Sequence, residues 1–84
     1  MFLHVKGLEY LEAYKLRLTF SNQVVQDIDL AKELYGEVFE PLQDPQQFRQ
    51  VFLNSDTNTI EWPNGADFAP EFLYKLGQST SQRV

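Results

Sequence analysis

No cysteine occurs in these 84 residues, histidine occurs once (His4), and the four glycines (Gly7, Gly36, Gly65, Gly77) stand far apart. Each absence removes a class of function. Without cysteine there is neither a disulfide nor a thiolate metal site, and the composition suits a reducing, cytoplasmic setting. A lone histidine offers no zinc ligand pair, and isolated glycines form no phosphate-cradling loop. No run approaches the ~20 apolar residues that cross a bilayer. The start, Met1-Phe2-Leu3-His4-Val5-Lys6, lacks the apolar stretch and small-residue cleavage site of a secretion signal. Basic residues are few as well: seven against twelve acids, a formal charge of −5. That balance repels phosphate and argues against direct nucleic-acid or anionic-membrane binding.

The chain does contain enough apolar area for a core, with 43% hydrophobic residues, seven Phe and four Tyr. Its length suits one domain, expected over residues 1–77, with a loose Ser/Thr/Gln-rich tail at 78–84. Tyr14-Lys15-Leu16-Arg17-Leu18-Thr19-Phe20 alternates strictly, so Tyr14, Leu16, Leu18 and Phe20 share one face of a strand. Beyond Ser21-Asn22, the segment Gln23 to Leu30 resumes with Val24, Ile28 and Leu30 in phase, while Val25 falls out of phase and suggests a bulge or a second covered face. His4 to Leu11 reads as a weaker strand interrupted at Gly7, which makes a three-strand antiparallel meander.

Asp29 is positioned to cap a short turn that Gly36 ends. Asp44-Pro45 opens a helix, with Gln47 at capping-box spacing and Phe48, Val51 and Phe52 on its core face. Asn54 to Asn58 is a loop, Thr59 to Trp62 a fourth strand, and Pro63-Asn64-Gly65 a turn, with Asp67 expected to accept backbone hydrogen bonds there. Pro70 begins a last helix, with Leu73 and Leu76 on one side and Gly77 as its stop. Strands grouped rather than alternating with helices, βββ-α-β-α, predict an α+β fold.

These landmarks carry a resemblance: Tyr14-Lys15-Leu16 with Leu18 and Phe20, Gly36-Glu37-Val38-Phe39 with Pro41-Leu42, and above all Ile60-Glu61-Trp62-Pro63-Asn64-Gly65-Ala66-Asp67 with Pro70, Leu73 and Tyr74. The chain resembles the bacterial family of unknown function DUF2442 over roughly Phe2 to Gly77. It departs at Asn22-Gln23-Val24, where the family usually has Asn-Gly-Glu, so a longer or differently shaped turn is expected. The resemblance implies a small α+β protein. Some relatives carry a helix-turn-helix domain after this one, and none is expected within this chain. Others are encoded beside a second small protein, which implies a toxin–antitoxin-like pair.

Chemistry-bearing residues are sparse. Glu61 and Asp67 flank the turn and would be the carboxylates of a small hydrolase-like enzyme, with His4 as a distant third. A turn-organising role for Asp67 and a strand-edge place for His4 are the simpler readings. Trp62 and Asn64 offer a recognition surface, although a core anchor explains Trp62 better. Tyr74 either stacks on a ligand or seals the last helix. Glu33, Glu37 and Glu40 belong to a segment, Asp27 to Asp44, with six acids and one base. That segment is either a solvated face or a dock for a small, basic protein partner. No metal-ligand spacing and no cofactor motif appears. The expectation is therefore a non-enzymatic interaction module, antitoxin-like in role, with a self-associating (homodimeric) regulatory or sensor domain as the alternative.

Overall fold

The computed structural model describes residues 3–81, with side chains described to residue 77. Three antiparallel strands, β1 (Val5–Glu12), β2 (Lys15–Phe20) and β3 (Val25–Asp29), form a sheet in the order β1-β2-β3. The alternation of β2 is realised in full. Leu16, Leu18 and Phe20 are buried, and Lys15 and Arg17 face solvent. Register pairs Leu16 with Ile28 and Leu18 with Gln26, so Ile28 joins the same inner face and Leu30 extends it. The expected interruption of β1 is a pair of register shifts, between Val5 and Gly7 and between Tyr10 and Glu12. Val25 is neither bulged nor covered; it points outward and is 55% exposed.

The missing glycine in the β2–β3 connection has a visible consequence. Ser21 to Val24 make a longer link than a two-residue turn, and Gln23 adopts φ +71°. The Gln23 N–H donates to the Phe20 carbonyl, and Asn22 Oδ1 accepts from the Val24 N–H. A side chain in this left-handed region costs roughly 1–2 kcal/mol, which glycine avoids. Gln23→Gly is therefore expected to stabilise the fold by about 0.5–1 kcal/mol after its unfolded-state entropy is counted. Chemical denaturation would read this as a higher midpoint at unchanged slope; a lower midpoint would contradict it.

On the outward face Arg17 donates through Nε to Asp27 at 2.8 Å across the strand pair. That hydrogen bond holds the Asp27 carboxyl below its ordinary value. A depressed carboxylate contributes stability above its unfolded pKa of about 3.9 and loses it as pH falls through the lower, folded value. Because the pair is open to solvent, Asp27→Asn should flatten only slightly the acid limb of a pH–stability curve below about pH 4.

After β3, Asp29 accepts the Ala31 N–H at 2.9 Å and sets up a 3-10 turn, Ala31–Glu33. This turn ends at Leu34 rather than at Gly36, whose φ of +93° belongs to the next bend. A second 3-10 turn, Glu40–Gln43, leads into α1 (Pro45–Phe48). Asp44 caps α1 through the Gln46 N–H, but Gln47 does not complete a capping box: the Asp44 N–H donates to Pro41. The helix is a single turn. Phe52, expected on its core face, is instead in β4 (Phe52–Asn54) and is 41% exposed. β4 pairs with β5 (Thr59–Glu61) in a separate two-stranded sheet, so the expected fourth strand has a partner hidden in what reads as helix end and loop. Three residues with one apolar face toward the core look alike in either conformation, and only the pairing decides.

The last helix, α2 (Pro70–Ser81), does not stop at Gly77. It runs through the first part of the expected 78–84 tail, and residues 82–84 lie outside the described ones. Gly77 is buried against β3; a Cβ there would stand 2.0 Å from Gln26 Oε1 and 3.0 Å from Gln26 Cβ. Glycine is present for close approach, not as a terminator. The core lies between the inner face of the three-stranded sheet and Leu34, Leu42, Phe48, Ile60, Trp62, Ala66 and Leu73. An α+β architecture is thus observed, in the order βββ-α-ββ-α. Among the described residues, no helix is long and apolar enough to cross a membrane.

Candidate functional site

The residues singled out around the Trp62 turn are largely structural. Trp62 is 1% exposed and donates through Nε1 to the Phe48 carbonyl at 2.9 Å. Its ring packs at a tilt on Phe48 and edge-on to Phe68. It is a core anchor, and it is not available as a recognition surface. The turn closes through bonds from Gly65 N–H to the Trp62 carbonyl and from Trp62 N–H to the Ala66 carbonyl, with Gly65 at φ +92°. Asn64, rather than Asp67, organises it: Oδ1 accepts the Ala66 N–H, and Nδ2 donates to Val38 at 2.9 Å. Asn64 thereby ties the turn to the acidic segment. Asp67 joins through its backbone, as a bridge partner of Glu61.

That bridge brings the Glu61 and Asp67 positions side by side. The Glu61 carboxylate is already engaged, accepting from Asn54 Nδ2 at 3.1 Å and Thr57 Oγ1 at 2.7 Å. These bonds close the β4–β5 hairpin. His4 lies immediately before β1, where its backbone N–H donates to Ser21 Oγ. Tyr74 sets its ring edge-on to Phe20 at 5.1 Å and accepts a hydrogen bond from Asn22 Nδ2. It seals α2 against the β2–β3 link. No group of three or more His, Cys, Asp or Glu suited to a metal ion occurs among the described residues.

Two concavities formed by the described residues stand apart from these structural roles. A groove of about 470 Å³ crosses the outer face of the sheet, lined by Glu9, Glu12, Lys15, Asp27 and Asp29 with Tyr10 and Leu11. Its charges are partly spent internally, Lys15 on Glu12 and Asp27 on Arg17. The second, about 230 Å³, is lined by Glu33, Tyr35, Phe39, Phe68 and Phe72. Its character is different. Phe68 stacks on Phe39 with ring centroids 4.6 Å apart and on Phe72 at 5.4 Å, which makes a ladder of three near-parallel rings.

Four separate pieces of chain supply this groove. The 3-10 turn after β3 gives Glu33, and the bend at Gly36 gives Tyr35 and Phe39. The segment leaving the Trp62 turn gives Phe68, and the first turn of α2 gives Phe72. Thr59 holds the Phe68 segment by donating Oγ1 to the Phe68 carbonyl, and Asn64 holds the Gly36 bend at Val38. Tyr35 and Phe72 are 69% and 40% exposed, and Val38, in the same bend as Tyr35, is 44% exposed. Of the acidic trio, Glu33 is half-buried in the groove wall, while Glu37 and Glu40 flank Phe39 in the chain and are exposed. Sequence reading found Glu33, Glu37 and Glu40 but missed the rings. The available signal was Phe72, which stands beside Leu73 and off the Leu73/Leu76 core face, four residues after Phe68.

The family model of proteins of unknown function, DUF2442, matches residues 5–79. This chain belongs to that family. Among solved structures, the DUF2442 chain is similar to a crystal structure from Nitrosomonas europaea ATCC 19718 described as "Putative DNA Binding Protein NE0471", with a TM-score of 0.84 at 25% identity. The likeness covers 99% of the DUF2442 chain and 54% of the other, so this chain spans about half the length of its neighbour. No curated protein matches the chain.

Proposed function

We propose that this protein is a non-enzymatic interaction module that docks a small, basic protein partner on the aromatic groove and its acidic surround, in an antitoxin-like role. The carrying observation is the ladder Phe39–Phe68–Phe72, half-buried at Phe39 and Phe68 and exposed at Phe72, with exposed Tyr35 beside it and Tyr35 and Phe39 in the most acidic part of the chain. Aromatic side chains left partly in water around a groove are a common basis for a binding site. Carboxylates at Glu37, Glu40, Asp67 and Glu71, each next or next but one to a ladder ring in the chain, would steer a basic partner and repel nucleic acid. The mechanism is occlusion: the module covers a basic surface on its partner. A stable complex should bury roughly 1,200–2,000 Å² in total.

The test is a native, nuclease-treated pull-down of the tagged protein from its own host, run in parallel with Phe72→Ser and with Glu33, Glu37 and Glu40 all changed to Lys. A stoichiometric basic partner, lost in both variants at unchanged folding, is the expected result. A partner retained by both would place docking elsewhere.

The alternative reading is a self-associating regulatory domain. It is favoured by the likeness to a chain of about twice the length whose description names DNA binding. The backbone of β3 at Val25, Asp27 and Asp29, facing away from β2, offers the edge for it. Sedimentation equilibrium giving a concentration-dependent dimer, weakened by Val25→Pro, would favour that reading over occlusion.

A further inference from the structure

We propose that the groove lined by Glu33, Tyr35, Phe39, Phe68 and Phe72 receives one arginine side chain of the partner. This rests on the docking reading above and gives it a chemical address. Size is the first argument. At about 230 Å³ the groove falls below the roughly 300–1,000 Å³ of small-molecule pockets, and it suits a single side chain better than a cofactor.

Chemistry is the second argument. Four aromatic residues and one carboxylate make up the lining. Aromatic faces attract a planar, weakly hydrated cation, and arginine stacks on them more readily than lysine. Its methylene stem covers apolar wall while the guanidinium reaches a carboxylate, which it meets as a fork rather than a point. Glu33 supplies that carboxylate. It is half-buried, and among the described residues no hydrogen bond or ion pair engages its side chain. Arg17 and Lys15, by contrast, already have acidic partners on the sheet face, and Arg49 lies over the Tyr10 ring at 5.3 Å. A carboxylate without a partner, set in a wall of rings within an acidic segment, is complementary to a guanidinium from outside.

The experiment titrates the whole protein with N-acetyl-arginine methylamide and follows the aromatic ring resonances by NMR. The uncharged isostere N-acetyl-citrulline methylamide and the lysine analogue serve as comparators. The expected result is saturable movement of the Tyr35, Phe39 and Phe72 rings with the arginine probe. The citrulline probe should bind roughly tenfold more weakly, since it loses both the cation–π and the carboxylate contact. Glu33→Gln should weaken the arginine probe roughly threefold and leave the citrulline probe unchanged, with amide spectra elsewhere superimposable on the parent. Equal movement with citrulline, or none with arginine, overturns the inference. A pulled-down partner released by Phe72→Ser but held equally by Glu33→Gln, with the rings unmoved by every probe, overturns the arginine inference and leaves the docking reading standing. Arginine-specific movement with a partner indifferent to Phe72→Ser does the reverse.

Discussion

Trp62→Ala is expected to remove about 3–5 kcal/mol, the usual loss for deleting a fully buried large aromatic. A domain of this length has on the order of 4–13 kcal/mol in all, so the variant should lose a large share of its stability and unfold at a much lower temperature. The loss has two sources. The indole fills the space between Phe48 and Phe68, with centroids 5.6 and 5.9 Å away, and the side chain is 1% exposed. Truncation leaves a void ringed by aromatics that cannot collapse without moving the Phe68 end of the groove. The indole N–H also satisfies the Phe48 carbonyl, which then keeps only the longer bond from Val51 at 3.2 Å. Trp62→Phe separates the terms. It retains most of the ring and loses the donor, so about 1–2 kcal/mol is expected. Urea denaturation followed by far-ultraviolet circular dichroism reads both variants, since the only tryptophan fluorophore is lost in each. Parent-like stability in Trp62→Ala would mean that the packing between the two sheets is looser than these distances require.

Gly77→Ala should destabilise even though alanine is the better helix former by about 1 kcal/mol. The new methyl would meet Gln26 Oε1 at 2.0 Å, Cδ at 2.7 Å and Cβ at 3.0 Å. The amide end of Gln26 can swing away, but its Cβ is fixed by the pairing of Gln26 with Leu18. The helix must therefore shift. Overpacking of this kind costs about 1–3 kcal/mol, which leaves a net loss of up to about 2 kcal/mol. Gln26→Ala should be close to neutral alone, because Gln26 Oε1 is buried without a hydrogen-bond partner. In the double variant the 2.0 and 2.7 Å contacts are gone and only the 3.0 Å approach to the Cβ of residue 26 remains, so part of the loss should be recovered. A coupling of about 0.5–1 kcal/mol in this cycle would locate the effect at the α2–β3 contact. Additive effects, or a stabilised Gly77→Ala, would show that α2 does not press on β3 there.

The acidic segment links fold and candidate site. Leu34 and Leu42 fasten it to the core, Gln43 Nε2 donates to the Leu34 carbonyl at 2.6 Å, and the Tyr14 hydroxyl donates to the Gln43 carbonyl. Between these fastenings Tyr35, Glu37 and Val38 are left outside. A segment pinned at both ends holds Phe39 against Phe68 while burying it only in part. The rings are thus held in place by the fold itself, so the docking proposed above would lose little ordering entropy.

What the chain determined locally is clear residue by residue. The alternation through Leu16, Leu18 and Phe20 determined a strand and its inner face, because side-chain direction in a strand has period two whatever surrounds it. Asp44-Pro45 determined a helix start, Pro63-Asn64-Gly65 a turn, and the Asn22-Gln23 substitution an altered link, since caps and φ preferences act within a few residues. The excess of acids, the lone histidine and the absent cysteines narrowed the chemistry in the same way. Tertiary structure decided the rest. It made Phe52 a strand residue by giving it Glu61 as a partner, and it carried α2 through Gly77 because β3 needed the space. It turned Asn64, not Asp67, into the organiser of the turn by placing the Val38 carbonyl within reach. The groove itself belongs wholly to this second category. Glu33, Phe39, Phe68 and Phe72 span forty positions of chain, no local pattern couples them, and they meet only because the core anchored by Trp62 folds those segments together.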